Sequence, residues 1–326
     1  TSRALLTSFL SSNGATLIAF LGSLVIARLL TPSEIGLYAI AAAFAGFAQV
    51  LRDFGTTNYI IQCELPDQET LRSALGGTLF LSWTMSARLW LASEPIAVFY
   101  GENALGGLLR LLALNLLLTP LGAITLALLR REMRFGTVGI ITLGAAVTQT
   151  LVTCILAWRG VGAMSLAWGA FANTVATVMM TLPYRRPGQP WLPGTSRLRE
   201  VLGFGAYAST ASLMGHLNVS ASDLLLGKLL DTQAVGLFSR ALGAARLLTT
   251  ILVRGVSPVV GPYFARLSRG EGDAEQGFHA AASRLTAVAW PALAFMAILS
   301  EEIVVLLYGS QWTESAPLVL YLCVST

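Results

Sequence analysis

Residues Ala27–Tyr38 read ARLLTPSEIGLY, and 200 positions later Gly227–Phe238 read GKLLDTQAVGLF. Leu29, Leu30, Gly36 and Leu37 recur identically, and Ala/Gly, Arg/Lys, Ile/Val and Tyr/Phe are conservative exchanges. Gly55 and Gly255 align at the same offset. A second pair follows in the same order, Tyr100-Gly101 in FYGENALGGLLRLLALN and Tyr308-Gly309 in LYGSQWTESAPLVLYL, at an offset of 208. Glycine after a short polar turn is ordinary chemistry wherever two helices join, so turn chemistry alone accounts for a single match. Two matches in order, at the same place in each half, point to a duplicated unit.

The material around the repeat is apolar. Of 326 residues 55% are hydrophobic and only 12% charged, with a mean hydropathy of +0.68, against roughly 25% charged residues in soluble domains. Such a chain lacks the polar surface to face water all round, and lipid is the simple alternative. The net charge of +4 rests on 21 basic residues of which one, Lys228, is lysine. These are spread over short loops with no continuous basic face, which excludes a nucleic-acid patch. Cys63, Cys154 and Cys323 are far apart, as are His216 and His279, so no metal-ligand spacing or disulfide framework appears, and neither a metal nor another cofactor is expected.

Apolar stretches long enough for about 30 Å of hydrocarbon fall at residues 9–30, 35–59, 74–98, 108–129, 138–158, 162–182, 201–226, 235–259 and 285–308, and a tenth begins near 316. The first reads as a span, not as a cleaved signal peptide. With the N-terminus in the cytoplasm, the even loops hold Arg72, Arg130, Arg131, Arg134, Arg185, Arg186, Arg197, Arg199, Arg266, Arg269 and Arg284. Arginine enrichment on the cytoplasmic side therefore predicts that orientation in a bacterial inner membrane. The Pro/Gly-rich stretch YRRPGQPWLPGTSRLRE, residues 184–200, follows six spans and predicts the boundary between a six-helix bundle over 1–183 and a second bundle over 201–326. Six spans separate the repeat copies, so the two share one orientation and their halves are expected to be related by a pseudo-two-fold axis along the membrane normal. By the 208-residue offset, position 326 corresponds to 118, which predicts that the second bundle breaks off in its fourth helix and lacks about 65 residues of a six-plus-six architecture.

The run ARLLTPSEIGLYAIAAAFAGFAQVLRDFG resembles the first two helices of Wzx-type polysaccharide transporters of the multidrug/oligosaccharidyl-lipid/polysaccharide exporter superfamily. LLRREMRFG (128–136), LLGKLLDTQAVGLFSRA (225–241) and LLYGSQWTESAPLVL (306–320) resemble later segments of the same family. The resemblance implies an all-α polytopic membrane protein of two six-helix bundles around a cavity. It also implies a flippase, not an enzyme, that moves undecaprenyl-pyrophosphate-linked sugars toward the periplasm. Its implied partners are the lipid-linked oligosaccharide, the membrane lipids and the polysaccharide polymerase machinery. The chain departs from the family by stopping early and by carrying Arg88 and Glu94 where more apolar residues are expected.

Charges inside a bilayer are costly, and each is a candidate site. The candidates are Arg52 and Asp53 in the second span, Arg88 in the third, Asp223 and His216 in the seventh, and Arg240, Arg246 and Arg254 in the eighth. Arginine suits a pyrophosphate cargo because its planar fork meets phosphate oxygens two at a time and stays charged. His216, Ser220 and Asp223 recur at helical spacing and share one face. Asp223 and Arg240 lie at similar depths on either side of the turn near Leu230, so they can pair. Arg246 is the residue most expected to face the cavity, and the others have plainer roles too: an interfacial or capping role for Arg52 and Asp53, a structural ion pair for Asp223 and Arg240, snorkelling for Arg254, a surface pair with Glu94 or Glu102 for Arg88, and packing for His216. Two other functions fit a polytopic chain. An organic-cation antiporter of the same fold favours an acidic cavity, whereas these in-span charges are mostly arginine. A membrane-embedded glycan polymerase or transferase favours catalytic clusters in sizeable loops, which are missing here.

Overall fold

The computed structural model describes residues 2–53, 60, 67–185, 189, 193–194, 196, 198–246 and 274–325. Among them there is no strand; nearly all are helical. In order the helices are α1 (Ser2–Leu29), α2 (Pro32–Asp53), α3 (Gln68–Tyr100), α4 (Asn103–Arg131), α5 (Phe135–Trp158), α6 (Met164–Thr181), α7 (Leu198–Leu229), α8 (232–246), α9 (Ala274–Ile298), α10 (Ser300–Tyr308) and α11 (Ala316–Ser325). Short 3₁₀ turns at Leu182–Tyr184 and Ser310–Ser315 extend α6 and link α10 to α11. By length and apolarity α2, α4, α5 and α6 with its extension each suffice to cross a membrane. The chain is thus an all-α polytopic membrane protein. Gly55, Asn58, Cys63, Arg254 and Gly255 lie outside the described residues.

Local chemistry sets the helix ends. Thr31 and Glu34 form a reciprocal box: the Glu34 N–H donates to Thr31 Oγ1 (3.3 Å) and the Thr31 N–H to Glu34 Oε2 (2.8 Å), with Pro32 pre-set for the first helical position. Two hundred residues on, Asp231 Oδ1 accepts from the Ala234 N–H at 2.7 Å. The repeat read from the sequence is therefore a repeat of capped hairpins. Asp67 caps α3 by accepting from the Thr70 N–H (2.8 Å). Gly101 ends it with φ 73°, its N–H and that of Glu102 returning to the carbonyls of Val98 and Ala97. At 33 residues α3 is about 50 Å long at roughly 1.5 Å per residue, so it emerges from the hydrocarbon.

The stretch 285–308, expected as one span, is bent by 77° between Leu285–Ile298 and Ser300–Tyr308. Glu301 and Glu302 supply the reason. They are exposed and occupy the first turn of α10, where a helix N-terminus favours acidic groups.

The described residues divide into two compact units, Thr1–Val235 and Gly236–Thr326. In the first, α4 is the central element, packed by α3, α6 and α2, while α1 lies on α5 and α5 on α6. Its core joins Leu105, Leu108, Leu109, Leu112 and Leu116 of α4 to Leu37, Ile40, Ala41 and Ala45 of α2. The outer face of α5 presents Ile140, Leu151, Ile155 and Trp158, all at least half exposed, as a lipid-facing helix must. α7 runs along α2 and α3 in this unit, so the last helix before the second repeat hairpin is packed on the first. The linker is anchored too. Gly194 donates its N–H to the Arg72 carbonyl (2.8 Å), Ser196 Oγ meets Ser73 Oγ (3.3 Å), and buried Gln189 donates from Nε2 to Thr125 Oγ1 (3.1 Å). In the second unit α9 packs on α11, and α10 with its following turn closes over them.

Candidate functional site

In the first unit, α2, α4 and α6 border a half-open pocket of about 260 Å³ toward their C-terminal ends. Its wall is made by Arg52 and Asp53 of α2, Thr119, Gly122, Ala123, Leu126 and Arg130 of α4, and Asn173, Thr174, Thr177 and Val178 of α6. Arg52 is buried to 6% exposure and binds the neighbouring Asp53 through Nη2. Its Nε and Nη1 are buried with no hydrogen-bond partner among the described residues. A buried, half-satisfied guanidinium is expensive and persists where something other than folding requires it. Thr119 and Thr174 turn their hydroxyls to the carbonyls of Asn115 (2.9 Å) and Ala170 (3.4 Å), and Asn173 donates to Gln149 Oε1 (3.0 Å). The wall therefore offers hydroxyl and amide oxygens around a cation. Arg52 and Arg130 against Asp53 leave it net positive.

The α2–α7 seam carries His216. Its Nε2 donates to the Ala43 carbonyl (3.0 Å) and lies 3.3 Å from Ser220 Oγ, and its ring stands edge-on to Phe47 with centroids 4.7 Å apart. The ring fills the notch over Gly46, where any Cβ would collide with it. Further along, Gly227 lets Ile40 and Tyr100 approach the α7 backbone, and the Tyr100 hydroxyl donates to the Leu224 carbonyl (3.2 Å). Lys228 donates to the Phe99 carbonyl with its ammonium 4.0 Å from the centre of the Phe99 ring. Ser33 and Thr232 join hydroxyls at 2.8 Å.

In the second unit Arg240 lies over two rings, its Cζ 5.7 Å from the centroids of both Tyr308 and Trp312. Trp312 is fully buried and Tyr308 nearly so. Arg240 Nε is buried without a hydrogen-bond partner among the described residues.

The other predicted site residues are scattered. Arg88 is exposed on α3 beside Trp90 and Leu91, and Glu94, considered as its partner, instead binds Arg110 of α4. Asp223 is half-buried in the first unit and Arg240 belongs to the second; Arg246, the last described residue of α8, is exposed. His216 and Ser220 do share a face as their spacing requires, with Asp223 two turns on. Sequence reasoning passed over Arg130, the threonines and Asn173, and the aromatic partners of Arg240. A signal existed for the α6 wall: Asn173, Thr174 and Thr177 form a polar stripe at helical spacing in an otherwise apolar span.

A family model described as "Polysaccharide biosynthesis protein" matches residues 25–317. The chain is 25% identical over 302 residues to the lipopolysaccharide biosynthesis protein WzxC of Escherichia coli (strain K12), covering 92% of this chain and 61% of that protein. It is 22% identical to the succinoglycan biosynthesis transport protein ExoT of Rhizobium meliloti (98% and 64% covered), and 22% identical to the teichuronic acid biosynthesis protein TuaB of Bacillus subtilis (85% and 58%). The chain thus spans about three-fifths of the length of these relatives. Among solved structures, an inward-facing multidrug resistance MATE family transporter of the MOP superfamily superposes with a TM-score of 0.66 at 14% identity, over 98% of this chain and 81% of that one. That likeness is one of fold.

Proposed function

Since the chain belongs to the polysaccharide biosynthesis protein family, we propose that it is a transporter for polysaccharide export, and specifically a flippase for an undecaprenyl-pyrophosphate-linked oligosaccharide. The observation that carries the finer reading is the Arg52 cavity. A buried guanidinium with two nitrogens unpartnered among the described residues suits a phosphate oxygen, and threonine and asparagine walls suit sugar hydroxyls. An apolar lipid tail needs no protein pocket, because it can stay in the bilayer beside the bundle. The relatives named for lipopolysaccharide, succinoglycan and teichuronic acid biosynthesis support the same cargo class.

In this reading residues 1–183 and 201–326 belong to two like-oriented bundles joined by the linker 184–200. They rock about a central cavity in a bacterial inner membrane, with the N-terminus inside. The Arg52 pocket opens toward the cytoplasmic leaflet, where a lipid-linked sugar is assembled, and serves as a loading station. Membrane lipids surround the bundles, and the polymerase machinery receives the cargo outside. The antiporter reading asks for an acidic pocket to hold an organic cation, and the net charge of this one is of the opposite sign.

The test is restoration of surface polysaccharide in a strain lacking its own flippase for the same glycan, using the complete protein and its Arg52→Gln and Arg130→Gln variants. The proposal expects the wild type to restore polymer, Arg52→Gln to restore less than about a tenth of it at equal membrane abundance, and Arg130→Gln to restore an intermediate amount. Full restoration by Arg52→Gln removes the loading station. Failure of the wild type, correctly inserted and offered its own glycan, removes the flippase reading.

A further inference from the structure

We infer that Arg240, packed against Tyr308 and Trp312, is a second oxyanion site, in the C-terminal half of the chain, that takes a phosphate group. Three observations carry this. First, the internal repeat supplies a control. Position 240 corresponds to 40 at the hairpin offset, and Tyr308 to Tyr100 at the Tyr-Gly offset. In the first copy Ile40 and Tyr100 both pack against Gly227 inside the apolar core, and Ile40 is fully buried. The fold is thus satisfied by an aliphatic side chain beside this tyrosine. The second copy places a guanidinium there, which packing does not require.

Second, the cation is neutralised by no described carboxylate of its own unit. What it has instead is two aromatic faces, each with its centre 5.7 Å from Cζ. Ring faces stabilise a guanidinium by far less than desolvating a full charge costs. Third, the burial is uneven. Nε is sealed without a partner, whereas neither Nη is among the buried unpartnered atoms and neither makes a hydrogen bond among the described residues. The described residues thus supply no hydrogen-bond acceptor to any of its nitrogens, while two rings pack against it. A guanidinium is a planar fork whose donors suit two oxygens of one phosphate.

The second copy also differs from the first at the position of Trp312, which corresponds to Ala104. The arginine and the ring packed against it are thus present together in one copy and missing together from the other. With the N-terminus inside, Arg240 follows the outward-facing hairpin by about ten residues, or roughly 15 Å along the helix. The assignment of a phosphate-bearing cargo rests on the flippase reading; the existence of the anion site does not.

The test is calorimetric titration of the complete detergent-solubilised protein with farnesyl pyrophosphate, inorganic pyrophosphate and farnesol. The site predicts saturable binding of farnesyl pyrophosphate that weakens about tenfold or more in Arg240→Ile, and less in Arg240→Lys, which keeps the charge but loses the fork. Arg240→Ile copies the first repeat and is expected to fold, which an unchanged thermal midpoint would verify. Equal loss of inorganic pyrophosphate binding assigns recognition to the anion itself; loss confined to farnesyl pyrophosphate assigns it to a lipid-linked headgroup. Both outcomes support the site. Binding of farnesyl pyrophosphate that is undetectable, equal to that of farnesol, or unchanged in Arg240→Ile overturns it. So does full recovery of export in Asp223→Asn/Arg240→Gln after loss in Arg240→Gln, because Arg240 would then serve only to neutralise Asp223. A wild type that binds pyrophosphate through Arg240 yet restores no polymer would sink the flippase reading and leave the site standing.

Discussion

The two repeat hairpins solve the same folding problem with different chemistry. Both turn the chain at a capped position, Thr31 and Asp231, and both have a tyrosine followed by a positive-φ glycine as their later landmark. In the first copy the space between hairpin and tyrosine is filled with hydrocarbon: Ile40 against Tyr100, with Gly227 letting α7 close over them. In the second it holds Arg240 and Trp312. A duplication with one apolar and one charged copy separates what the architecture needs from what was added to it. The shared features are turns, caps and a tyrosine; the differences are the candidates for function.

The sharpest way to break this contrast is to make the first copy resemble the second. Ile40→Arg places a guanidinium at a fully buried apolar position that has no Trp312 equivalent. It is expected to lower stability by about 3–5 kcal/mol, the range for an uncompensated buried charge. Detergent-solubilised protein should show a large fall in thermal midpoint and in folded yield. A neutral result would mean that the Tyr100 site is as tolerant of cations as the Tyr308 site, and the asymmetry would lose its meaning.

Much of the architecture was legible because a membrane span is a long-wavelength signal. The apolar runs found from composition correspond to helices wherever the structure describes them, and the hairpins cap at the residues that the repeat aligns. What averages over a window was lost. Glu301 and Glu302 are two charges in an otherwise apolar run, so the 77° break between α9 and α10 did not register. The site was less legible than the fold. Arg52 and Asp53 sit at a helix end, where adjacent opposite charges usually face water. Only the approach of α4 and α6 buries one and exposes the other. His216 reads identically as a packing residue or a proton carrier until Gly46 is seen beneath its ring. Trp312 becomes a partner of Arg240 only when the turn after Gly309 folds back, a long-range event with no local signature.

The two tyrosine-glycine landmarks are not equivalent in backbone. Gly101 has φ 73° and ψ 18°, a left-handed turn that asparagine also tolerates, whereas Gly309 has φ 103° and ψ 166°, a region essentially restricted to glycine. Gly309→Ala is therefore expected to cost about 2–3 kcal/mol and Gly101→Ala about 1 kcal/mol, since no atom lies within 4 Å of the added Cβ at Gly101. Asparagine should be nearly neutral at 101 and as costly as alanine at 309. Thermal midpoints of the four variants measure this, and equal costs at both sites would erase the distinction.

The α2–α7 seam gives a smaller test of how tightly the first copy is closed. Gly46→Ala gains helix propensity of about 1 kcal/mol but must expel the His216 ring and break its bond to the Ala43 carbonyl. The balance is a net loss of about 1 kcal/mol. Adding His216→Ala empties the notch, so the double variant should be more stable than Gly46→Ala alone. Additive losses would show that the ring does not occupy the notch.

The caps give the finest comparison, because here the first copy has the better chemistry. Thr31 and Glu34 share three bonds, whereas the Asp231 carboxylate accepts one from Ala234, whose methyl side chain can return none. Thr31→Ala and Asp231→Ala should each cost about 1 kcal/mol. Ala234→Glu should complete the box in the second copy and raise stability by about 0.5 kcal/mol, an effect that Asp231→Ala abolishes. If Ala234→Glu stabilises equally with and without Asp231, the gain comes from the helix dipole alone, and the correspondence between the two hairpins ends at the turn itself.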